Sequence, residues 1–124
     1  MSPANNRHGM RQADLAHVLS LKLPAGKAIV ECSILTVIGV RVPDVCWASD
    51  AFLAAHGDDT PFMNAPEICI EVLSPWNSRR EIDEKTQAYL AAGAFEVWVV
   101  GQDGHRRVFT ADGEQVSSRF VSEI

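Results

Sequence analysis

From Met10 to Leu23 the residues Leu15, Val18, Leu19 and Lys22 recur at helical spacing, and Pro24 and Gly26 end the run. The pattern then turns β-rich from Ala28 to Ala48: Ile29-Val30, Ile34 to Ile38, a break at Gly39, then Val40 to Trp47. This predicts two or three short strands joined by tight turns. Ala51 to Ala65, with Gly57-Asp58-Asp59-Thr60-Pro61 at its centre, reads as a loop. Ile68 to Leu73 is a strand closed by Ser74-Pro75. Arg80 to Ala92 is a helix, with Ser78 as its cap, Glu81 three residues on and Gly93 as its left-handed stop. Phe95 to Val100 is a further strand. Asp103-Gly104 is a two-residue hairpin signal leading to Arg107 to Thr110, and Asp112-Gly113 repeats the signal. No repeat or linker interrupts this order. It predicts one domain over residues 1–124, of α/β class, with a mixed sheet and flanking helices.

Three residues break the pattern. In the strand at Ile68 to Leu73, Ile68, Ile70 and Val72 share one face and Cys69, Glu71 and Leu73 the other. Both faces are apolar, yet Glu71 sits among them, and a buried carboxylate needs a cation, a metal or a proton. On the following helix Ile82, Thr86, Tyr89 and Gly93 mark the inward stripe, and Lys85 borders it. Lys85 therefore either meets the Glu71 strand or carries its amine out to water. Pro43 marks a strand entrance and sets Asp44 there. Two carboxylates on neighbouring strands can share Mg²⁺, and a lysine beside them can orient a water or offset charge on a phosphate. That is the chemistry of phosphodiester hydrolysis.

Composition narrows the setting. The chain is 47% hydrophobic and 22% charged, as in an ordinary globular protein. The longest nearly uncharged stretch, Cys32 to Val40, is too short to span a bilayer, so no membrane partner is expected. Met1 to Asn6 lacks a secretory pattern, which makes a cytoplasmic location the default. A net charge of -5 argues against binding nucleic acid through a broad basic surface. A nuclease centre is itself built from carboxylates, so that balance does not exclude one. Cys32, Cys46 and Cys69 lie in apolar runs at unrelated spacings and read as small buried hydrophobes. His8, His17, His56 and His105 show no i,i+4 pairing, and none is assigned to catalysis.

The ordered set Val42-Pro43-Asp44-Val45, Ala65-Pro66-Glu67 running through Glu71 to Ser74-Pro75, Asp83, Lys85, and Tyr89 to Val100 is familiar. With it, the chain resembles the Uma-two family of "putative restriction endonucleases", a domain-of-unknown-function group in the PD-(D/E)xK nuclease superfamily. The likeness covers about Arg41 to Phe109 closely and the helix from Met10 more loosely. It implies a restriction-endonuclease-like mixed β-sheet flanked by helices, with Asp44 and Glu71 as metal-binding acids. Val72 would add its backbone carbonyl to the metal. Leu73 stands where the superfamily's lysine usually falls, and the resemblance moves that role to Lys85. An acid on the first helix is common in the superfamily, and Asp14 is the one this helix supplies. Trp76 replaces a small hydroxyl residue, and either stacks on a base or covers the core. Gly101 replaces a frequent aspartate after the strand that ends at Val100.

The expected function is therefore a Mg²⁺-dependent (or Mn²⁺-dependent) endonuclease acting on DNA, with Asp44, Glu71 and Lys85 as catalytic residues. Arg79, Arg80, Arg106 and Arg107 are the candidate nucleic-acid contacts, with Arg7 or Arg11 in support. Cutting both strands takes two centres, which a homodimer would supply. The alternative is a catalytically degenerate nuclease-fold module that binds a partner without hydrolysis.

Overall fold

Strands that are apolar on both sides need cover on both sides, and the fold supplies a helix to each face of one sheet. The structure, a computed structural model, describes residues 5–122. Met1 to Ala4, read above for a leader pattern, lie outside them. The element order is α1 (Asn6–Lys22), β1 (Gly26–Val30), β2 (Ile34–Thr36), β3 (Gly39–Arg41), β4 (Val45–Ser49), α2 (Asp50–His56), β5 (Ile68–Val72), α3 (Arg79–Ala91), β6 (Glu96–Val100), β7 (Arg106–Thr110) and β8 (Gly113–Gln115). Six strands form a mixed sheet in the order β1-β4-β5-β6-β7-β8, while β2 and β3 pair as a separate hairpin. Within this sheet β5 and β6 run parallel, joined by the α3 crossover, and the other described neighbours run antiparallel.

Alternation along the central strands sorts the core into two layers. Val45, Trp47, Ile68, Ile70, Val72, Trp98 and Val100 pack with Leu15 and Leu19 of α1. On the other face Cys46, Cys69 and Val97 pack with Tyr89 of α3 and with Ile34 and Phe62. The three cysteines are buried and free, with the thiols of Cys32 and Cys46 in contact, as small core residues would be. Glu71 shares the α3-facing side of β5 with Cys69, as the alternation predicts.

Several boundaries differ from those read in the sequence, each for a local reason. Helix α1 begins at Asn6 rather than Met10, because Asn5 caps it by accepting from the N–H groups of Arg7 and His8. Its first turn carries no apolar stripe, so hydrophobic spacing could not reveal it. The span Ala51 to Ala65 is not all loop. Ser49 caps α2 by accepting from the Phe52 N–H, and Gly57 ends the helix. The region from Ala28 to Ala48 contributes to four strands, because Gly39 turns β2 back on β3 (φ +98°). Asp103-Gly104 is not a two-residue hairpin. It lies in a five-residue connection, 101–105, in which the Gly101 N–H donates to the His105 carbonyl at 2.9 Å. At the second signal Ala111 and Asp112 form the connection, and Thr110 pairs with Gly113.

Among the described residues no helix is long and apolar enough to cross a membrane. Gly26 occupies the tightest point on β1: a Cβ there would stand 2.3 Å from the Ala48 carbonyl oxygen and 2.5 Å from the Trp47 ring. Replacing it by alanine should cost about 2 kcal/mol through forced movement of β1 off β4. Urea denaturation with an unchanged slope and a lower midpoint is the expected result, and an unchanged midpoint would refute the close approach.

Candidate active site

The site is assembled where the end of β5, the entrance of β4, the first turn of α1 and one side of α3 meet. The antiparallel register pairs Val45 with Ile70, which sets Asp44, just before β4, beside Glu71. The Asp44 carboxylate accepts from the Val72 N–H at 2.7 Å. Glu71 is buried on β5, where its Oε2 accepts from the Tyr89 hydroxyl at 2.8 Å and its Oε1 stands 3.7 Å from Lys85 Nζ. Lys85 and Tyr89 are four residues apart on α3, so a single face of that helix delivers both to one carboxylate. The three catalytic candidates therefore come together, and the side chains of Asp44, Glu71 and Lys85 line one cavity of about 280 Å³.

Burial raises the pKa of Asp44 above its ordinary value, against the opposing pull of the Val72 N–H, His8 and Lys85. Glu71 is pushed up to about 7, first by burial and then by the Asp44 charge, while Lys85 and the Tyr89 hydrogen bond draw it back. Burial and the Glu71 charge push the Tyr89 phenol up, so Tyr89 stays a donor at neutral pH. Two crowded carboxylates with a single ammonium leave negative charge to be balanced. Their oxygens, with the Val72 carbonyl, make the hard donor set that suits Mg²⁺ or Mn²⁺. Among the described residues no three His, Cys, Asp or Glu side chains form a ready-made cage.

Sequence reasoning missed His8. Its Nε2 stands 3.1 Å from the Val72 carbonyl oxygen and 3.4 Å from Asp44 Oδ2. Gln12, one turn further along α1, donates to the Asp44 carbonyl at 2.8 Å. The available signal was a polar i,i+4 pair on the part of α1 that lacks an apolar stripe. Asp14, the acid that the first helix supplies, is exposed and absent from the lining of the cavity. Trp76 does not cover the core: it is 63% exposed at the rim of the cavity, next to Asn77.

The arginines are dispersed. Arg79 and Arg80 are exposed at the start of α3, facing Asp83 at 3.9 Å and Glu84 at 3.1 Å. Arg106 and Arg107 do not act as a pair, because alternation along β7 sends them to opposite faces. Arg106 lies over the Trp98 ring, and Arg107 forks onto Glu114 through two hydrogen bonds of 2.8 and 3.0 Å. Arg7 and Arg11 flank His8 in a cleft beside the site, where Arg11 donates to the Gln102 carbonyl.

Residues 1–122 match the family model described as Uma2, "Putative restriction endonuclease". The chain belongs to the Uma2 family. Its fold is similar to the crystal structure of "a putative nuclease belonging to DUF820 from Anabaena variabilis ATCC 29413". The TM-score is 0.78 at 19% sequence identity, over 94% of this chain and 69% of that one. No curated protein matches this Uma2 chain.

A carboxyl group whose pKa is higher folded than unfolded binds extra protons in the native state, so stability falls as pH rises between the two values. For Glu71 that window runs from 4.5 to about 7, and Asp44 acts in the same sense. The unfolding midpoint of the metal-free protein should therefore drop as pH rises through the window, and Glu71→Gln should flatten the profile. A variant profile as steep as the wild type's would remove Glu71 as the source.

Proposed function

We propose that this Uma2 chain is a divalent-metal-dependent endonuclease hydrolysing DNA phosphodiester bonds. The observation that carries the reading is Glu71: a carboxylate buried in the central strand, with Asp44 on one side and Lys85 on the other. Asp44, Glu71 and the Val72 carbonyl would hold Mg²⁺ or Mn²⁺. When bound, the ion supplies positive charge to the phosphate oxygens and makes water a stronger acid. Tyr89 fixes Glu71 from below by its hydroxyl, leaving Oε1 towards Lys85 and the cavity. Lys85 brings an ammonium that would orient the attacking water and offset charge as it builds on the phosphate. The Val72 N–H holds Asp44 in place through its Oδ2.

The surroundings suit a polyanion that enters a confined cleft rather than spreading over the surface. Trp76 offers an exposed ring at the rim on which a base can stack. Arg7, Arg11, Arg79 and Arg80 would supply phosphate contacts at the two helix starts, even though the chain as a whole carries a net charge of -5. Cleavage of both strands by a cytoplasmic enzyme of this kind would draw on a second copy.

Asp44→Ala, Glu71→Ala and Lys85→Ala should each lower Mg²⁺-dependent or Mn²⁺-dependent plasmid cleavage by at least about 100-fold, with circular dichroism unchanged. Equal cleavage by a purified triple variant would sink the proposal. An inert wild type that still binds DNA would favour the non-hydrolytic module instead.

A further inference from the structure

His8 is the one side chain of α1 that reaches both a carboxylate and a carbonyl of the site, and no role follows for it from the reaction described above. Its Nε2 stands 3.1 Å from the Val72 carbonyl oxygen and 3.4 Å from Asp44 Oδ2, and both groups belong to the donor set of the metal reading. Neighbouring ligands of an octahedral dication, each about 2.1 Å from the ion, lie about 3 Å apart. The nitrogen already stands at roughly that spacing from each of the two oxygens.

The placement is held from both ends. The Asn5 side chain accepts from the N–H groups of Arg7 and His8 at 3.0 and 3.2 Å, which fixes the first turn of α1. Gln12 ties the next turn to the Asp44 backbone at 2.8 Å, so helix and strand entrance move as one. His8 is partly exposed, 24% by its side chain, so its ring reaches the cavity without disturbing the core. A purely structural strap would need only a hydrogen bond to Val72, which a side-chain amide could make as well.

We propose that His8 is a protein ligand of the cation, alongside Asp44 and the Val72 carbonyl, and that its imidazole tunes the site towards Mn²⁺ over Mg²⁺. This rests on the carboxylate metal reading above and deepens it. Ligation uses the Nε2 lone pair with the proton on Nδ1, so the contact with Val72 gives way to a bond to the ion. Mg²⁺ keeps to oxygen donors and sheds water reluctantly, whereas imidazole is a favourable ligand for a first-row transition ion.

Calorimetric titration of the metal-free full chain with Mn²⁺ and with Mg²⁺, paired with pulsed electron paramagnetic resonance of the Mn²⁺ complex, tests it. The wild type should prefer Mn²⁺ by at least about 10-fold and show nitrogen modulation from one imidazole. His8→Gln, which keeps a donor for the Val72 carbonyl, should lose that modulation and about 10-fold in Mn²⁺ affinity, with Mg²⁺ affinity changed by less than about 3-fold. Asp44→Ala should abolish binding of both ions. If Asp44→Ala abolishes binding while His8→Gln leaves Mn²⁺ affinity and the spectrum unchanged, the His8 ligand is refuted and the carboxylate reading stands. Binding that survives Asp44→Ala, or its absence in the wild type, overturns both.

Discussion

A carboxylate on a strand covered on both faces is the constraint to which the site answers. Glu71 is almost wholly buried on β5 and meets solvent through the cavity, so Asp44, Lys85 and Tyr89 act strongly on its charge. Tyr89 donates to one oxygen, Lys85 approaches the other, and Asp44 opposes both by adding a second negative charge. The result is a carboxyl group poised near neutrality, where it can hold a proton or face a cation. Helix α3 makes the crossover between parallel β5 and β6 and presents Lys85 and Tyr89 together from one face.

Glu96 shows how the same sheet treats an acid that serves architecture. It is 1% exposed, yet its oxygens accept from Trp98 Nε1, Ser118 Oγ and the Arg119 N–H at 2.6 to 2.9 Å. Those donors tie the carboxy-terminal segment to the sheet. Glu71 has two partners, one of them 3.7 Å away, and a neighbouring acid. Saturation by neutral donors marks the first carboxylate as structural, and incomplete compensation marks the second as a place for chemistry.

Much of the frame was legible because it depends on period. Strand β5 announced itself by apolar residues on both faces, and α3 by its Ser78 cap, its inward stripe and Gly93. Glu71 stood out as a polar residue where period called for an apolar one, Lys85 as a neighbour of the inward stripe, and Asp44 by the proline before it. Helix α2 and the first turn of α1 did not stand out. A seven-residue helix with no buried residue, and a turn facing a polar cleft, carry no hydrophobic signature. Arg106 and Arg107 show a related limit: adjacent residues on a strand point to opposite faces, so adjacency in sequence made no joint basic patch.

By itself, then, the sequence determined which segments become strands and helices and which residues are out of place in them, since burial alternates with a local period. What only the tertiary structure decided was company. That Val45 pairs with Ile70 brings Asp44 to Glu71, and the docking of α1 carries His8 from 64 residues away to the Val72 carbonyl. Such meetings depend on register and on helix packing, which are set by the whole core at once and leave no mark at the residues concerned.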